Sequence, residues 1–171
     1  MGTVTQVNHI TIVRQLAAPA ELVFQAWTDP LHLQQWFANP GAPAPSEPAT
    51  VDLRVGGAWR LLMVENENKS YVTGGIYREI VRPTRLVFTF GAEGGWPDLD
   101  LERLDDAPII TVTLNEADGA TEMIVDLGFV DTLEEERVHA WLSMGMREGL
   151  TQTLDRLAPH LERSAPGQPA R

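Results

Sequence analysis

The stretch LAAPAELVFQAWTDPLHLQQWF, residues 16–37, predicts two short helices in succession after a first strand. Pro19 suits the first turn of a helix, because the missing N–H of a proline is not needed there. The apolar residues of the first helix recur at helical spacing: Leu22, Val23, Ala26 and Trp27. Asp29-Pro30 ends that helix, since a residue before proline is pushed out of the α region, and Asp29 can cap the next one. The second helix carries Leu31, Leu33, Trp36 and Phe37. Two helices in this position favour a domain in which a sheet wraps around a cavity. Such a domain indicates a binding function rather than a catalytic one.

Alternating apolar residues predict seven strands, one before the helix pair and six after it. The predicted strands are residues 9–14, 51–54, 58–64, 71–80, 86–90, 109–114 and 122–129. Residues 39–50 contain four prolines and are predicted to form a loop, as are residues 91–106. Gly74-Gly75 predicts a bulge or bend within its strand, and Ala117-Asp118-Gly119 predicts a hairpin turn. Strands connected in this way form an antiparallel sheet.

One long amphipathic helix is predicted to follow the last strand, capped by Asp131-Thr132. Its apolar stripe is Val138, Leu142, Met146, Leu150, Leu154, Leu157 and Leu161. The sequence therefore predicts an α+β fold in which a curved antiparallel sheet of about seven strands surrounds a long C-terminal helix. We expect residues 1–163 to form a single domain and residues 164–171 to be a disordered tail.

Composition excludes several classes of function. A net charge of −11 argues against binding to nucleic acid or to an anionic membrane, because both need a basic surface. The absence of cysteine removes disulfides, thiolate nucleophiles and cysteine-ligated metals. The sequence shows neither a secretory signal nor an apolar run of 18 residues, so we expect a cytoplasmic protein.

Four stretches carry a resemblance to a known family. They are AAPAELVFQAWTDPLHLQQWF (17–37), DLRVGGAWRLLM (52–63), GIYREIVRPTRLVFTF (75–90) and EGLTQTLDRLAPHL (148–161). Their order and spacing resemble the Aha1-type (activator of Hsp90 ATPase homologue 1-like) branch of the START-like, Bet v 1-like or SRPBCC superfamily. The resemblance implies a helix-grip fold with a cavity between sheet and C-terminal helix. Gly149-Leu150 stands where this branch typically has Gly-Trp, which implies an enlarged or reshaped pocket.

Three functions remain open at this point. The first is the binding of a small hydrophobic or aromatic molecule in the cavity. The second, implied by the resemblance, is an Hsp90-type co-chaperone or stress-related interaction protein with a chaperone partner. The third is a polyketide cyclase or dehydratase-like enzyme, in which Tyr71, Tyr77 and His139 are the acid–base candidates. A homodimer is common in this fold, and exposure of Trp36 and Phe37 would favour one.

No catalytic, metal or cofactor site is expected from the motifs. The histidines lack the spacing of metal ligands and are His9, His32, His139 and His160. The predicted pocket residues are those whose side chains face the grip or close its mouth. They are Trp36, Phe37, Trp59, Leu61, Met63, Tyr71, Thr73, Phe88, Phe90, Val125, Leu142, Met146 and Leu150. Periodicity alone leaves open which face of residues 71–80 points inward.

Overall fold

A computed structural model describes residues 9–37, 48–93, 108–128, 136 and 146–164. The strands are β1 (His9–Leu16), β2 (Thr50–Val51), β3 (Ala58–Asn66), β4 (Lys69–Val81), β5 (Arg85–Thr89), β6 (Gly91–Glu93), β7 (Ile109–Ala117) and β8 (Ala120–Gly128). The helices are α1 (Ala20–Thr28), α2 (Pro30–Trp36), α3 (Met146–Asp155) and α4 (Leu157–Ser164). Within these described segments, no helix is long and apolar enough to cross a membrane.

The strands form one antiparallel sheet in the order β1-β8-β7-β5-β4-β3-β2, with β6 paired to β4. Most strands that are neighbours in the sheet are also consecutive in sequence. The last strand, β8, instead lies beside the first strand, β1. The predicted α+β fold, with an antiparallel sheet and a C-terminal helical segment, is confirmed. The predicted bounds of six strands differ from the observed ones by three residues or fewer.

Two strand predictions were wrong in detail. The predicted strand 51–54 is only Thr50–Val51, because the backbone turns at once and Gly57 N–H donates to the Arg54 carbonyl. Residues 91–93, predicted as loop, form β6 by pairing with Val72–Gly74 of β4. This pairing is a tertiary contact that the local composition does not reveal.

Gly74 and Gly75, where a bulge or bend is predicted, lie in close contact with the neighbouring backbone. A Cβ on Gly74 would lie 2.1 Å from the Trp59 carbonyl oxygen, and one on Gly75 would lie 1.6 Å from the Thr89 carbonyl oxygen. Only glycine allows the neighbouring backbones to approach so closely. β4 pairs with β6 through Val72–Gly74 and with β5 from Tyr77 onward, and the irregularity in the β4–β5 register lies between Tyr77 and Glu79.

The helix pair forms as its sequence predicts, with one change at its start. Pro19 is the extended N-cap residue and α1 begins at Ala20, one residue later than the prediction placed it. Asp29 ends α1, and its carboxylate accepts from the Leu31 N–H at 2.9 Å to cap α2. Leu31 itself is 68% exposed, so it does not contribute to the core.

The C-terminal helical segment is not one continuous helix. A break at Arg156 separates α3 from α4, which corrects the prediction of a single long helix. Pro159 explains the break, because its ring clashes with the carbonyl of Asp155 and it has no N–H to donate to that carbonyl. The apolar stripe survives the break, since Leu150, Leu154, Leu157 and Leu161 are all buried.

The core lies between the helices and the face of the sheet that they cover, called here the inner face. The sheet residues of this core are Ile10, Ile12, Trp59, Leu61, Tyr77, Leu86, Phe88, Ile110, Val112, Leu114, Met123, Val125 and Leu127. One charged residue also stands at an inner-face position: Arg14 is paired with Met123 in the β1–β8 register. Its guanidinium reaches the carboxylate of Asp155 at 2.9 Å, so β1 is tied to the end of α3.

Candidate functional site

Aromatic rings from α1, α2, β3, β4 and β5 meet on the inner face and form one continuous cluster. Its members, called here the aromatic cluster, are Trp27, Trp36, Phe37, Trp59, Tyr77, Phe88 and Phe90. The ring centroids are 5.5 Å apart for Phe37 and Trp59 and 5.4 Å apart for Trp59 and Phe88. These edge-to-face contacts connect the end of α2 to the centre of the sheet.

Five of the predicted pocket residues therefore lie in a single cluster: Trp36, Phe37, Trp59, Phe88 and Phe90. Others are buried elsewhere in the same core: Leu61, Thr73, Val125 and Leu150. Met63 is half-buried against it. Leu142 lies outside the described residues, as do the side chains of Tyr71 and Met146.

Trp36 and Phe37 are buried, so the exposure that would favour a homodimer is absent. They are only 1% and 4% exposed, because Trp36 packs against Trp27 and donates its indole N–H to the Ala26 carbonyl at 2.8 Å. These two residues thus close one end of the core and offer no apolar surface for a homodimer.

The inward face of β4 is the one that holds Thr73 and Tyr77, which are 4% and 1% exposed. Tyr77 is paired with Phe88 across the β4–β5 register, and their ring centroids are 6.2 Å apart. Tyr77 and Trp27 were missing from the predicted pocket set. The alternation of Thr73, Gly75 and Tyr77 with exposed Arg78 was the available signal for Tyr77.

The polar atoms of the aromatic cluster differ in their hydrogen bonding. Trp36 Nε1 donates a hydrogen bond to the Ala26 carbonyl, and Trp27 Nε1 lies 3.4 Å from the sulfur of Met123. In the part of the chain that the structure describes, Trp59 Nε1 and Tyr77 Oη are buried without a hydrogen-bond partner. We call these two atoms the donor pair.

Tyr77 is a proton donor and not a base at neutral pH. Burial raises the pKa of its phenol, and the negative charge of Asp52 raises it further. A phenol in this state keeps its proton. Of the three acid–base candidates, Tyr71 and His139 have side chains outside the described residues.

Two histidines distant in sequence form a pair at the other end of α2. His32 Nδ1 and His160 Nε2 are 2.7 Å apart, and the rings are nearly perpendicular. His160 is fully buried, and burial lowers its pKa, with smaller effects from His32 and Arg163. Sequence analysis missed this pair because spacing along the chain carries no information about residues 128 positions apart.

Arg156, at the break between α3 and α4, holds the end of α2 in place. Its guanidinium donates to the carbonyls of Trp36 at 2.9 Å and Phe37 at 3.0 Å. These carbonyls belong to the last turn of α2, which has no further helical N–H groups to offer them. The break caused by Pro159 thus lies beside the arginine that fixes the helix pair.

Metal-binding side chains are not gathered within the described segments. No group of three or more histidine, aspartate or glutamate side chains there is placed to hold a metal ion. His9 opens β1, and its side chain is outside the described set.

The architecture places this chain among Bet v 1-like, helix-grip proteins. Solved bacterial structures share it. A protein from Arthrobacter aurescens is 24% identical, with a TM-score of 0.72 over 92% of this chain and 88% of its own. A protein from Mycobacterium smegmatis is 23% identical, with a TM-score of 0.68 over 95% of this chain and 93% of its own. A protein from Chromobacterium violaceum is 29% identical, with a TM-score of 0.62 over 91% and 97% of the two chains.

The family follows from the sequence. The family described as "Activator of Hsp90 ATPase homolog 1-like protein" matches residues 17–162, and the chain belongs to it. This confirms the resemblance drawn from the four sequence stretches. None of the curated proteins gives a significant match.

Proposed function

We propose that this protein binds a small, mostly apolar molecule against the inner face of its sheet, beside the aromatic cluster. The observation that carries the proposal is the incomplete burial of Met63 and Phe90. Both side chains pack against the core, yet both are only half-buried. An apolar ligand covering them would gain about 25 cal/mol for each Å² of apolar surface removed from water.

The chemistry of these two side chains suits a ligand of variable shape. Phe90 extends the cluster through its contact with Phe37, whose ring centroid is 6.4 Å away. Met63 is unbranched and polarisable, so its side chain can adapt to different ligand surfaces. A flat aromatic ligand stacked on Phe90 would continue the edge-to-face pattern of the cluster.

Native mass spectrometry of the purified protein and calorimetric titration with fluorene test this proposal. Fluorene is a flat, uncharged hydrocarbon, and binding to the folded state alone must raise the melting temperature. We expect Met63→Gln to weaken fluorene binding by about 5- to 30-fold, which corresponds to about 1–2 kcal/mol of lost apolar contact.

Val13→Gln is the matched control for that titration. Val13 lies on β1 and is 46% exposed, and it faces away from Ile12 and the core. We expect its substitution to leave fluorene binding unchanged. The absence of binding to the wild-type protein, or equal losses in the two variants, would contradict the proposed site.

A second function is favoured by family membership. The family name refers to activation of the Hsp90 ATPase, and the match covers residues 17–162. Under this alternative the chain contacts an Hsp90-type chaperone and raises its ATPase rate. A titration of this protein into a chaperone ATPase assay decides it, and an unchanged rate at saturating protein removes the alternative.

The enzymatic alternative has no observation in its favour within the described residues. The protonated Tyr77 phenol can donate a hydrogen bond but cannot act as a general base at neutral pH. We therefore do not propose a cyclase or dehydratase activity.

A further inference from the structure

The donor pair is unusual because buried polar groups are nearly always hydrogen-bonded. Trp59 is 2% exposed and Tyr77 is 1% exposed, so water at the surface does not reach either side chain. Each buried donor without an acceptor costs about 1–3 kcal/mol of stability. A phenylalanine at position 77 would fill nearly the same space without that cost.

Both members of the donor pair belong to side chains that touch the same ring. Trp59 contacts Phe88 at 5.4 Å and Tyr77 contacts it at 6.2 Å between centroids. Trp59 and Tyr77 come from adjacent strands, β3 and β4, and both face inward. The two donors are thus part of the aromatic cluster and not of a separate polar region.

The chemistry of the pair defines what it can recognise. An indole N–H can only donate, and a protonated phenol donates through its O–H. The complementary ligand group is therefore a hydrogen-bond acceptor. Trp59 and Tyr77 are both almost fully buried, and an ionised group beside them would lose its hydration, so the acceptor that fits is neutral.

We infer that the ligand is a neutral, flat, mostly apolar molecule with a carbonyl oxygen that accepts hydrogen bonds from Trp59 Nε1 and Tyr77 Oη. This inference rests on the proposed binding function and adds the chemical class of the ligand. Aromatic ketones and quinones belong to this class, whereas hydrocarbons and carboxylates of the same shape do not.

Fluorene and 9-fluorenone test the inference, because they share one ring skeleton and differ by a single carbonyl. We expect the wild-type protein to bind fluorenone about 10-fold more tightly than fluorene, the ratio that one or two net hydrogen bonds supply. In Tyr77→Phe and in Trp59→Phe this preference should fall to about 3-fold or less. Tyr77→Phe removes only one oxygen, and its melting temperature verifies that it folds.

Trp27→Phe is the control for loss of an indole in the same cluster. Trp27 Nε1 already lies against the Met123 sulfur, so this variant should keep the preference for fluorenone. The infrared carbonyl stretch of bound fluorenone gives an independent reading. It should shift to lower frequency in the wild-type complex and return toward its value in hydrocarbon solvent in Tyr77→Phe.

The results distinguish failure of the ligand class from failure of the proposed binding function. Equal affinity for fluorene and fluorenone, or a preference that survives in both Tyr77→Phe and Trp59→Phe, overturns the assignment of the donor pair and leaves the apolar site intact. Binding of neither compound overturns the binding function, and the ligand class with it.

Discussion

The aromatic cluster has two halves that contain the same residue types but differ in the hydrogen bonding of their polar atoms. In the half formed by the helix pair, Trp36 Nε1 donates to the Ala26 carbonyl, and the Arg156 guanidinium donates to the carbonyls at the end of α2. In the half formed by β3 and β4, Trp59 and Tyr77 are as deeply buried, but their donors lack acceptors among the described residues. The first half is complete as a structural core, whereas the second has hydrogen-bonding capacity left for a ligand.

Gly75, beneath the second half, should be the least tolerant point of the molecule. Gly75→Ala would place a Cβ 1.6 Å from the Thr89 carbonyl oxygen, and that oxygen belongs to the backbone of a paired strand and cannot move away easily. We expect a loss of about 3 kcal/mol or more in the free energy of unfolding, or failure to fold. Urea denaturation followed by circular dichroism measures it.

The same substitution on α3 is the control. Gly149 is exposed and nothing lies within 4 Å of an added Cβ, so Gly149→Ala should stabilise the protein by up to about 1 kcal/mol. A Gly75→Ala protein as stable as Gly149→Ala would show that this point of β4 does not need glycine.

A matched pair of tryptophan substitutions compares the two halves directly. Trp36→Phe removes a satisfied donor and leaves the buried Ala26 carbonyl without it, whereas Trp59→Phe removes a donor that had no acceptor among the described residues. We expect Trp36→Phe to cost about 1–3 kcal/mol more than Trp59→Phe in the ligand-free protein. Equal losses in urea denaturation would remove the distinction between the halves.

Arg156 tests whether the helix pair depends on the C-terminal segment. Arg156→Met keeps the aliphatic contacts but removes the hydrogen bonds to the carbonyls of Trp36 and Phe37. We expect a loss of about 1–3 kcal/mol in thermal or urea denaturation, because charged donors to carbonyls contribute about this much. Arg163→Met, on exposed α4 surface, should change stability by less than about 0.5 kcal/mol.

The smallest effect concerns pH and the histidine pair. The pKa of His160 is lowered in the folded state, so the unfolded chain takes up this proton first as the pH falls. Its contribution to stability is complete above the unfolded pKa of about 6.5 and is lost as the pH falls through the folded value. His32 and Arg163 are the charged or titratable groups acting on it.

His160→Gln removes that titration and retains a side chain able to hydrogen-bond to His32. We expect the melting temperature of the wild type to fall more between pH 7.5 and pH 5.5 than that of His160→Gln. Parallel pH profiles for the two proteins would show that the pair contributes nothing to the pH dependence.

Much of the fold was readable from local sequence. Asp29-Pro30 predicts the boundary between α1 and α2, Asp118-Gly119 predicts the β7–β8 turn, and Gly74-Gly75 marks the place where other backbone approaches β4 closely. Asp118 and Gly119 both have positive φ, as the tight hairpin turn requires. Each of these signals acts over a few residues, where steric rules operate without help from the rest of the chain.

The candidate site was readable only in part. Alternation placed Trp59, Phe88 and Val125 on inward faces, and all three are buried. Pro159 was a signal for the break at Arg156. The apolar stripe continues through Leu154 and Leu157, and this continuity favoured the prediction of one unbroken helix. The sequence of β6 does not by itself predict a strand, because β6 becomes extended only by pairing with β4.

By itself the sequence determined the α+β class, the helix pair and the alternation of inward and outward residues, since each depends on local sterics or periodicity. The family was evident from the order and spacing of four sequence stretches. Only the tertiary structure decided which face of β4 points inward, that His32 meets His160, and which buried donors find acceptors. These outcomes depend on the distance between segments remote in sequence, and hydrogen-bond satisfaction in particular changes with shifts of less than an ångström.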